Sequence, residues 1–169
     1  MSVDVEVLIE HAGWTELDLE TLAASAARAT LARLGIGGPA AVVVLATSDA
    51  AVAALNAQFR DKPVPTNVLS WPAQSLAPDA PGQAPQPPAR DPTGALELGD
   101  IALAYETCAR EAKAAGKPLK DHATHLIVHA ILHLAGYDHI SDEDAALMER
   151  LEAEILSTLG LPDPYTISG

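Results

Sequence analysis

Three histidines near the end of an apolar segment constrain this chain more than any other feature. His129 and His133 are four residues apart, so on a helix their side chains lie on one face, roughly 6 Å from each other. His139 is too far along the chain to share that face unless the helix ends and the backbone turns back. Gly136 provides such an end, because glycine adopts the left-handed conformation that terminates helices at little cost. We therefore predict a helix that stops between the second and the third histidine.

Three neutral imidazoles that converge in this way are suited to zinc. Three protein ligands leave the fourth tetrahedral position to water, which is typical of catalytic and not of structural zinc sites. Structural zinc is bound mostly by cysteine, and the chain contains only Cys108. We predict one Zn²⁺ per chain, held by His129, His133 and His139, with a bound water that ionises near neutral pH.

The residue after the first histidine limits the chemistry of this site. Zinc proteases with the spacing His-Glu-x-x-His-x-x-Gly-x-x-His carry a glutamate at that position, where it acts as general base. Here the position is Ala130, and a methyl group cannot transfer a proton. The sequence therefore excludes peptide hydrolysis by that mechanism.

Residues 129–139 resemble the signature of the YbeY family, His-Gly-x-Leu-His-Leu-x-Gly-Tyr-Asp-His, with Ala130 in place of glycine. Residues 55–72 also resemble the family, which has an Asn, an Arg and the run Pro-Thr-Asp/Asn-Val-Leu-Ser-Phe-Pro there. Trp71 replaces the phenylalanine of that run. Residues 99–101 are similar to the family's Gly-Asp-Ile strand, so the resemblance spans roughly residues 40 to 160, apart from an insertion.

Members of this family are bacterial metal-dependent endoribonucleases that act in ribosomal RNA maturation. The resemblance implies a zinc-dependent, single-strand-directed endoribonuclease that acts in late processing of small-subunit 16S rRNA and in ribosome quality control. Its partners would be ribosomal RNA or a ribosomal particle, with a ribosomal protein that delivers the substrate as a further option. The implied fold is one α+β domain over residues 1–169, a small mixed four-stranded sheet packed with about five helices.

The same resemblance implies a set of site residues. Arg60 is expected to be catalytic, because its planar guanidinium matches the geometry of a phosphate. Asn56, one helical turn earlier, is expected to help place the substrate. Thr66, Asn67 and Ser70 either line the same cleft as substrate-binding residues or form a purely structural turn.

Two residues beside the expected ligands have open roles. Asp138 precedes His139, and it either orients an imidazole or accepts a proton as a catalytic residue. His125 lies one helical turn before His129. As a ligand it would occupy the open position of the metal, so we expect it outside the ligand set, either as a partner of a ligand imidazole or as an ordinary core histidine.

The net charge of −13 argues against indiscriminate RNA binding, because non-specific RNA affinity depends largely on Lys and Arg. The acidity favours delivery by a protein partner or by a folded ribosomal particle. A basic cluster in the second half of the chain is interpreted as a solvated helix face: Arg110, Lys113, Lys117 and Lys120. We expect neither DNA nor a membrane as a partner.

The sequence also predicts a cytoplasmic protein. It contains no run of about 18 apolar residues, so no membrane span is expected. Its first residues lack the basic and apolar regions of a signal peptide. The lone Cys108 cannot form an internal disulfide and is interpreted as a packed small residue.

Hydrophobic periodicity predicts alternating strands and helices. The predicted strands are residues 3–9, 40–46, 66–71 and 96–104. The predicted helices begin near Thr15, Ser48, Tyr105, Leu119 and Ser141, the first by a capping-box-like arrangement with Asp18.

Seven of the thirteen prolines lie between Pro72 and Pro92, so residues from about 73 to 94 are interpreted as an inserted loop outside the catalytic machinery. Residues 162–165 are expected to be frayed or loosely docked.

Two other function classes remain open at this point. One is a metal-dependent hydrolase of a peptide or small molecule, with Asp138 as its base. The other is a ribosome-assembly factor in which the metal stabilises the fold and catalysis is slight. Cleavage assays on RNA with and without chelator distinguish these classes from a nuclease.

Overall fold

The structure is a computed structural model that describes residues 3–37, 39–60, 66–73, 92, 94–137 and 141–165, with Phe59 and Arg60 described for their backbone only. Asp138 and His139 lie outside the described residues, as does most of the segment predicted to be an inserted loop. The predictions of that loop and of a single domain over residues 1–169 therefore stay predictions.

Four strands and five α-helices make up the described regular structure, together with a short 3₁₀ helix at Ala12–Glu16. The strands are β1 (Val3–Ile9), β2 (Ala40–Thr47), β3 (Val68–Pro72) and β4 (Leu96–Ala104). The helices are α1 (Leu19–Leu34), α2 (Asp49–Arg60), α3 (Tyr105–Ala115), α4 (Leu119–Leu134) and α5 (Asp142–Thr158). None of the described helices is both long and apolar enough to cross a membrane.

The strands form one mixed sheet in the order β1-β2-β4-β3. β1 is parallel to β2 and β2 is parallel to β4, whereas β3 is antiparallel to β4. The predicted α+β fold, with a mixed four-stranded sheet and five helices, is therefore confirmed over the described residues.

The two faces of the sheet are covered unequally. Val42, Val44 and Ala46 of β2 point into the main core, which also contains the buried faces of α1 and α4. Successive side chains of a strand point to opposite faces. On the other face, Val52 of α2 packs against a small second cluster that includes Leu69 of β3. The chain therefore places α4 and α2 on opposite sides of the sheet.

Most predicted element boundaries are confirmed, but the start of α1 is not. The N-cap of α1 is Asp18, and the Thr15 hydroxyl donates to the carbonyl oxygen of Ala12 at 2.6 Å inside the 3₁₀ helix. The capping-box interpretation of Thr15 was therefore wrong, because a local 3₁₀ turn uses its hydroxyl. The other two predicted caps are confirmed, since Ser48 Oγ accepts from Ala51 N at 3.2 Å and Ser141 Oγ from Asp144 N at 3.0 Å.

Gly99 is the position at which β4 can pair closely with β3. It lies opposite Pro72, has a φ of 138°, and a Cβ there would lie 2.2 Å from the carbonyl oxygen of Trp71. We expect Gly99→Ala to lower the free energy of unfolding by at least about 2 kcal/mol, because it combines backbone strain with a backbone clash. Urea denaturation measures this change.

Gly37→Ala is the matched control for Gly99→Ala. Among the described residues other than its chain neighbours, no atom lies within 4 Å of a Cβ at Gly37, so the stability of Gly37→Ala should stay within about 0.5 kcal/mol of wild type. Equal stability of the two variants would contradict this prediction, because it would mean that β3 and β4 can move apart at Gly99 at no cost in free energy.

Candidate metal centre

The helix that carries the histidines ends where the sequence predicts. α4 runs over Leu119–Leu134, and Gly136 follows with a φ of 106°. The N–H of Gly136 donates to the carbonyl of His133, and the N–H of Tyr137 donates to that of Leu132, both at 3.0 Å. These bonds satisfy carbonyls that the helix end would otherwise leave unpaired. The chain therefore turns away from α4 directly after the second histidine.

The side chain of His133, near the end of α4, faces the edge strand β3. Its Nδ1 is 2.6 Å from the hydroxyl oxygen of Ser70, which is 7% exposed. The alternation along β3 turns Ser70 towards α4 and Leu69 towards α2. Strand period and helix period together therefore bring one predicted metal ligand and one predicted substrate-binding residue into contact.

His129 is paired through the same ring atom, but to a carboxylate. Its Nδ1 lies 3.1 Å from Oε1 of Glu152, a residue of α5 that is only 1% exposed. A carboxylate oxygen accepts but does not donate, so Nδ1 of His129 carries the proton. Nε2 then has the lone pair, which is the form of imidazole that binds a metal ion. The donor chemistry at this position therefore fits a zinc ligand.

Glu152 stays ionised in these surroundings. Burial by itself raises the pKa of its carboxyl, but the interactions with His125 and His129, first among them their hydrogen bonds, outweigh burial and lower the pKa from 4.5 to about 2. A buried anion is stable only when donors surround it. The glutamate is therefore a permanent acceptor for the ring that faces it.

His125 and Tyr165 complete the surroundings of that carboxylate. The Nε2–H of His125 donates to Oε1 of Glu152 at 2.9 Å, and the hydroxyl of Tyr165 donates to Oε2 at 2.8 Å. Burial and the charge of Glu152 raise the pKa of Tyr165, so its hydroxyl keeps its proton at neutral pH. These contacts favour His125 as an indirect partner of a ligand imidazole and not as a ligand.

Comparison with known proteins supplies the context for this geometry. The family model described as Endoribonuclease YbeY matches residues 6–160. This chain belongs to the YbeY endoribonuclease family. A relative named Endoribonuclease YbeY from Ruegeria pomeroyi is 56% identical over 164 residues, which are 96% of this chain and 98% of the relative. One of the same name from Dinoroseobacter shibae is 58% identical over 163 residues, which are 95% of this chain and 90% of the relative.

The fold has also been seen in a solved structure. The solution structure of a Thermotoga maritima protein matches with a TM-score of 0.55 and 22% identity, over 96% of this chain and 99% of that one. At this identity the match concerns the fold, and it agrees with the α+β class predicted from the resemblance to the YbeY family.

The other predicted site residues of this YbeY member lie in different surroundings. Asn67 donates its side-chain N–H to Oε1 of Glu111 at 3.0 Å, which favours the structural-turn alternative at that position. Asn56 is 5% exposed on α2, and Thr66 is half-buried just before β3. Arg60 is the last residue of α2. The substrate roles of these residues stay predictions.

The described part of the chain contains two of the three predicted metal ligands. Among those residues, which exclude His139, no three His, Cys, Asp or Glu side chains form a metal-binding group. His129 and His133 are present on α4 with their Nδ1 atoms paired, whereas Asp138 and His139 lie outside the description. The three-histidine zinc site of this YbeY member therefore stays a prediction.

Sequence reasoning missed Glu152 and Tyr165. A signal for Glu152 was available, because it lies four residues after Met148 and three before Ile155, and both are fully buried. A glutamate at a core position of an amphipathic helix predicts buried donors around it. Tyr165 gave no comparable signal: the residue is 43% exposed, but its hydroxyl contacts Glu152, a contact that the sequence did not predict.

Proposed function

We propose that this protein is a zinc-dependent, cytoplasmic endoribonuclease that cleaves single-stranded segments of ribosomal RNA. Its role would lie in late processing of 16S rRNA and in ribosome quality control. The observation that carries the proposal is that His129 and His133 lie one turn apart on α4, each with its Nδ1 at hydrogen-bonding distance from a neighbouring side chain. Membership of a family named for endoribonuclease activity supports the choice of RNA as substrate.

The ligands in this proposal are His129, His133 and His139. When bound, zinc supplies Lewis acidity towards a phosphodiester oxygen and lowers the pKa of a water. The hydroxyl of Ser70 fixes the ring of His133 through Nδ1, so it orients a ligand as well as lining the cleft. This gives a specific reason for a serine at a position where sequence alone left a structural turn open.

The remaining residues act on the substrate. Arg60 is proposed to grip a phosphate oxygen with its two-pronged guanidinium and to stabilise the negative charge that grows in the transition state. Asn56 and Thr66 are proposed to place the substrate, and Asp138 to orient an imidazole or to accept a proton. Asn67 supports them by tying the start of β3 to α3 through Glu111.

The charge of the protein bears on how it meets RNA. A net charge of −13 repels phosphates at a distance, and affinity that rests on Lys and Arg is weak with ten such residues. We therefore propose that the substrate is presented on a ribosomal particle or by a basic ribosomal protein, which the acidic surface of this chain would attract.

Cleavage of a 16S rRNA precursor by purified protein tests the proposed function. We expect fragments with intact protein, no fragments after treatment with chelator, and recovery when zinc is added back. Casein and a small ester should remain uncleaved. Chelator-sensitive cleavage of casein, or metal-loaded protein that binds ribosomal particles without cleaving RNA, would contradict the nuclease proposal.

Arg60→Lys separates catalysis from folding. The substitution keeps the charge but loses the two-pronged geometry, so we expect RNA cleavage to fall at least about tenfold, which is about 1.4 kcal/mol of barrier. Zinc content and melting temperature should not change, because Arg60 is not one of the proposed ligands and lysine keeps its charge. All three quantities can be measured on the same preparations.

Arg110→Lys is the matched control for Arg60→Lys. Arg110 lies on α3 and donates to the hydroxyl of Thr107 at 3.3 Å, so its replacement should leave cleavage unchanged. A fall in melting temperature for Arg60→Ala, in step with activity, would instead assign Arg60 a structural ion pair. Full cleavage by zinc-loaded Arg60→Ala protein would remove Arg60 from the mechanism.

A further inference from the structure

The buried carboxylate of Glu152 contacts His129, one of the two proposed ligands that the structure describes. Glu152 accepts hydrogen bonds from His125 and His129 through Oε1 and from Tyr165 through Oε2. We call these four residues the Glu152 network. Its members come from α4, from α5 and from the segment that follows α5, so three separate parts of the chain meet at one side chain.

The network fixes the position of the carboxylate. Rotation about its terminal bond would move Oε1 away from His125 and Oε2 away from Tyr165, and both bonds are short, at 2.9 and 2.8 Å. These two bonds therefore hold Oε1 in one position relative to the ring of His129. His125 and Tyr165 are therefore connected to His129 through Glu152, although neither of them hydrogen-bonds to His129 in the described structure.

Packing alone does not account for a glutamate at this position. Its neighbours on the buried face of α5 are Met148, Leu151 and Ile155, and a further apolar side chain would complete that face without the cost of burying a charge. An ionised carboxylate that faces an imidazole Nδ1–H does something that an apolar residue cannot do. It selects one tautomer and makes Nε2 a stronger electron donor.

We propose that Glu152 is a positioning residue that holds His129 in the Nδ1–H form and in the orientation for metal binding, with His125 and Tyr165 as its supports. The proposal rests on the proposed zinc site and deepens it. The segment after α5 thereby becomes part of the metal centre through Tyr165, at a distance of 36 residues from His129 along the chain.

Glu152→Gln tests the role of the charge with little change of shape. The amide oxygen can still accept from the histidines, but the negative charge that polarises His129 is lost. We expect the zinc dissociation constant, measured by competition with a chromophoric chelator, to rise 10- to 100-fold. Glu154→Gln is the matched control on the same helix, because Glu154 pairs at the surface with Arg33 and should leave zinc affinity unchanged.

Tyr165→Phe tests the role of the Tyr165 hydroxyl and leaves the carboxylate of Glu152 in place. It removes one hydroxyl at the edge of the network, so the protein should fold and bind zinc more weakly, by a smaller factor than Glu152→Gln. Tyr105→Phe is its matched control, since Tyr105 stacks on His11, outside the Glu152 network. ¹⁵N NMR of the metal-free protein should report the Nδ1–H tautomer of His129 in wild type and a mixture of tautomers in Glu152→Gln.

The outcomes separate this inference from the proposed function. Wild-type protein that binds no zinc would overturn the zinc site and the role of Glu152 with it. Wild-type protein that binds zinc, with unchanged affinity in Glu152→Gln and Tyr165→Phe, would overturn the positioning role alone. The same holds if metal-free wild type shows His129 as the Nε2–H tautomer, or if the variants lose melting temperature but no zinc affinity.

Discussion

His133→Ala is expected to abolish zinc binding at the proposed site and to lower cleavage of a 16S rRNA precursor at least about a thousandfold. His133 lies on α4 against β3, with its Nδ1 2.6 Å from Ser70 Oγ, so its ring is oriented before any metal arrives. Removal of one of the three proposed ligands leaves too few protein donors to hold zinc. Metal analysis and a gel-based cleavage assay on the same preparation measure both effects.

His122→Ala is the control on the same helix. His122 pairs through Nε2 with Glu111 at 2.9 Å, and burial lowers its pKa, so it belongs to the packing between α3 and α4. This variant should keep its zinc and its cleavage activity even if its melting temperature falls. Zinc retained at wild-type level by His133→Ala would mean that the ligand set is wrong.

Ala130→Glu is expected to lower the free energy of unfolding by about 3 kcal/mol or more. The substitution recreates the glutamate of the zinc proteases, but the side chain of Ala130 is only 1% exposed and belongs to the main core. A carboxylate there would be buried among apolar side chains without a built partner. Thermal and urea denaturation measure the loss, and we expect no peptidase activity to appear.

Ala114→Glu is the matched control for that substitution. Ala114 is exposed on α3, so the same added charge should change stability by no more than about 0.5 kcal/mol. A stable Ala130→Glu protein that hydrolyses casein only in the presence of zinc would restore the protease interpretation that the sequence excludes.

The elements of this fold could be predicted because their signals are local. Alternation in β1, the valine-rich run of β2 and the glycine that ends α4 each depend on a few neighbouring residues. The strand order β1-β2-β4-β3 could not be derived in the same way, because it depends on pairing between distant segments. The error at Thr15 has a local cause, since a 3₁₀ turn and a helix cap compete for one hydroxyl.

In the candidate site, too, only the features with local signals could be predicted from the sequence. The four-residue spacing of His129 and His133 follows from helix geometry and predicts that they share a face. The contact of His129 with Glu152 crosses 23 residues and that of His133 with Ser70 crosses 63, so neither could be deduced from periodicity. Residues that orient a ligand through tertiary contacts are visible only when the fold is known.

The long span of these contacts has a consequence for folding. Ser70 can meet His133 only after β3 has paired with β4 and α4 has docked on the sheet, because closing a loop of 63 residues costs entropy that local contacts do not repay. Partly folded chains can form α4 but not the complete set of contacts around the proposed metal ligands. At the proposed site, zinc should therefore bind the native state more tightly than partly folded chains, and it should shift the folding equilibrium towards the native state.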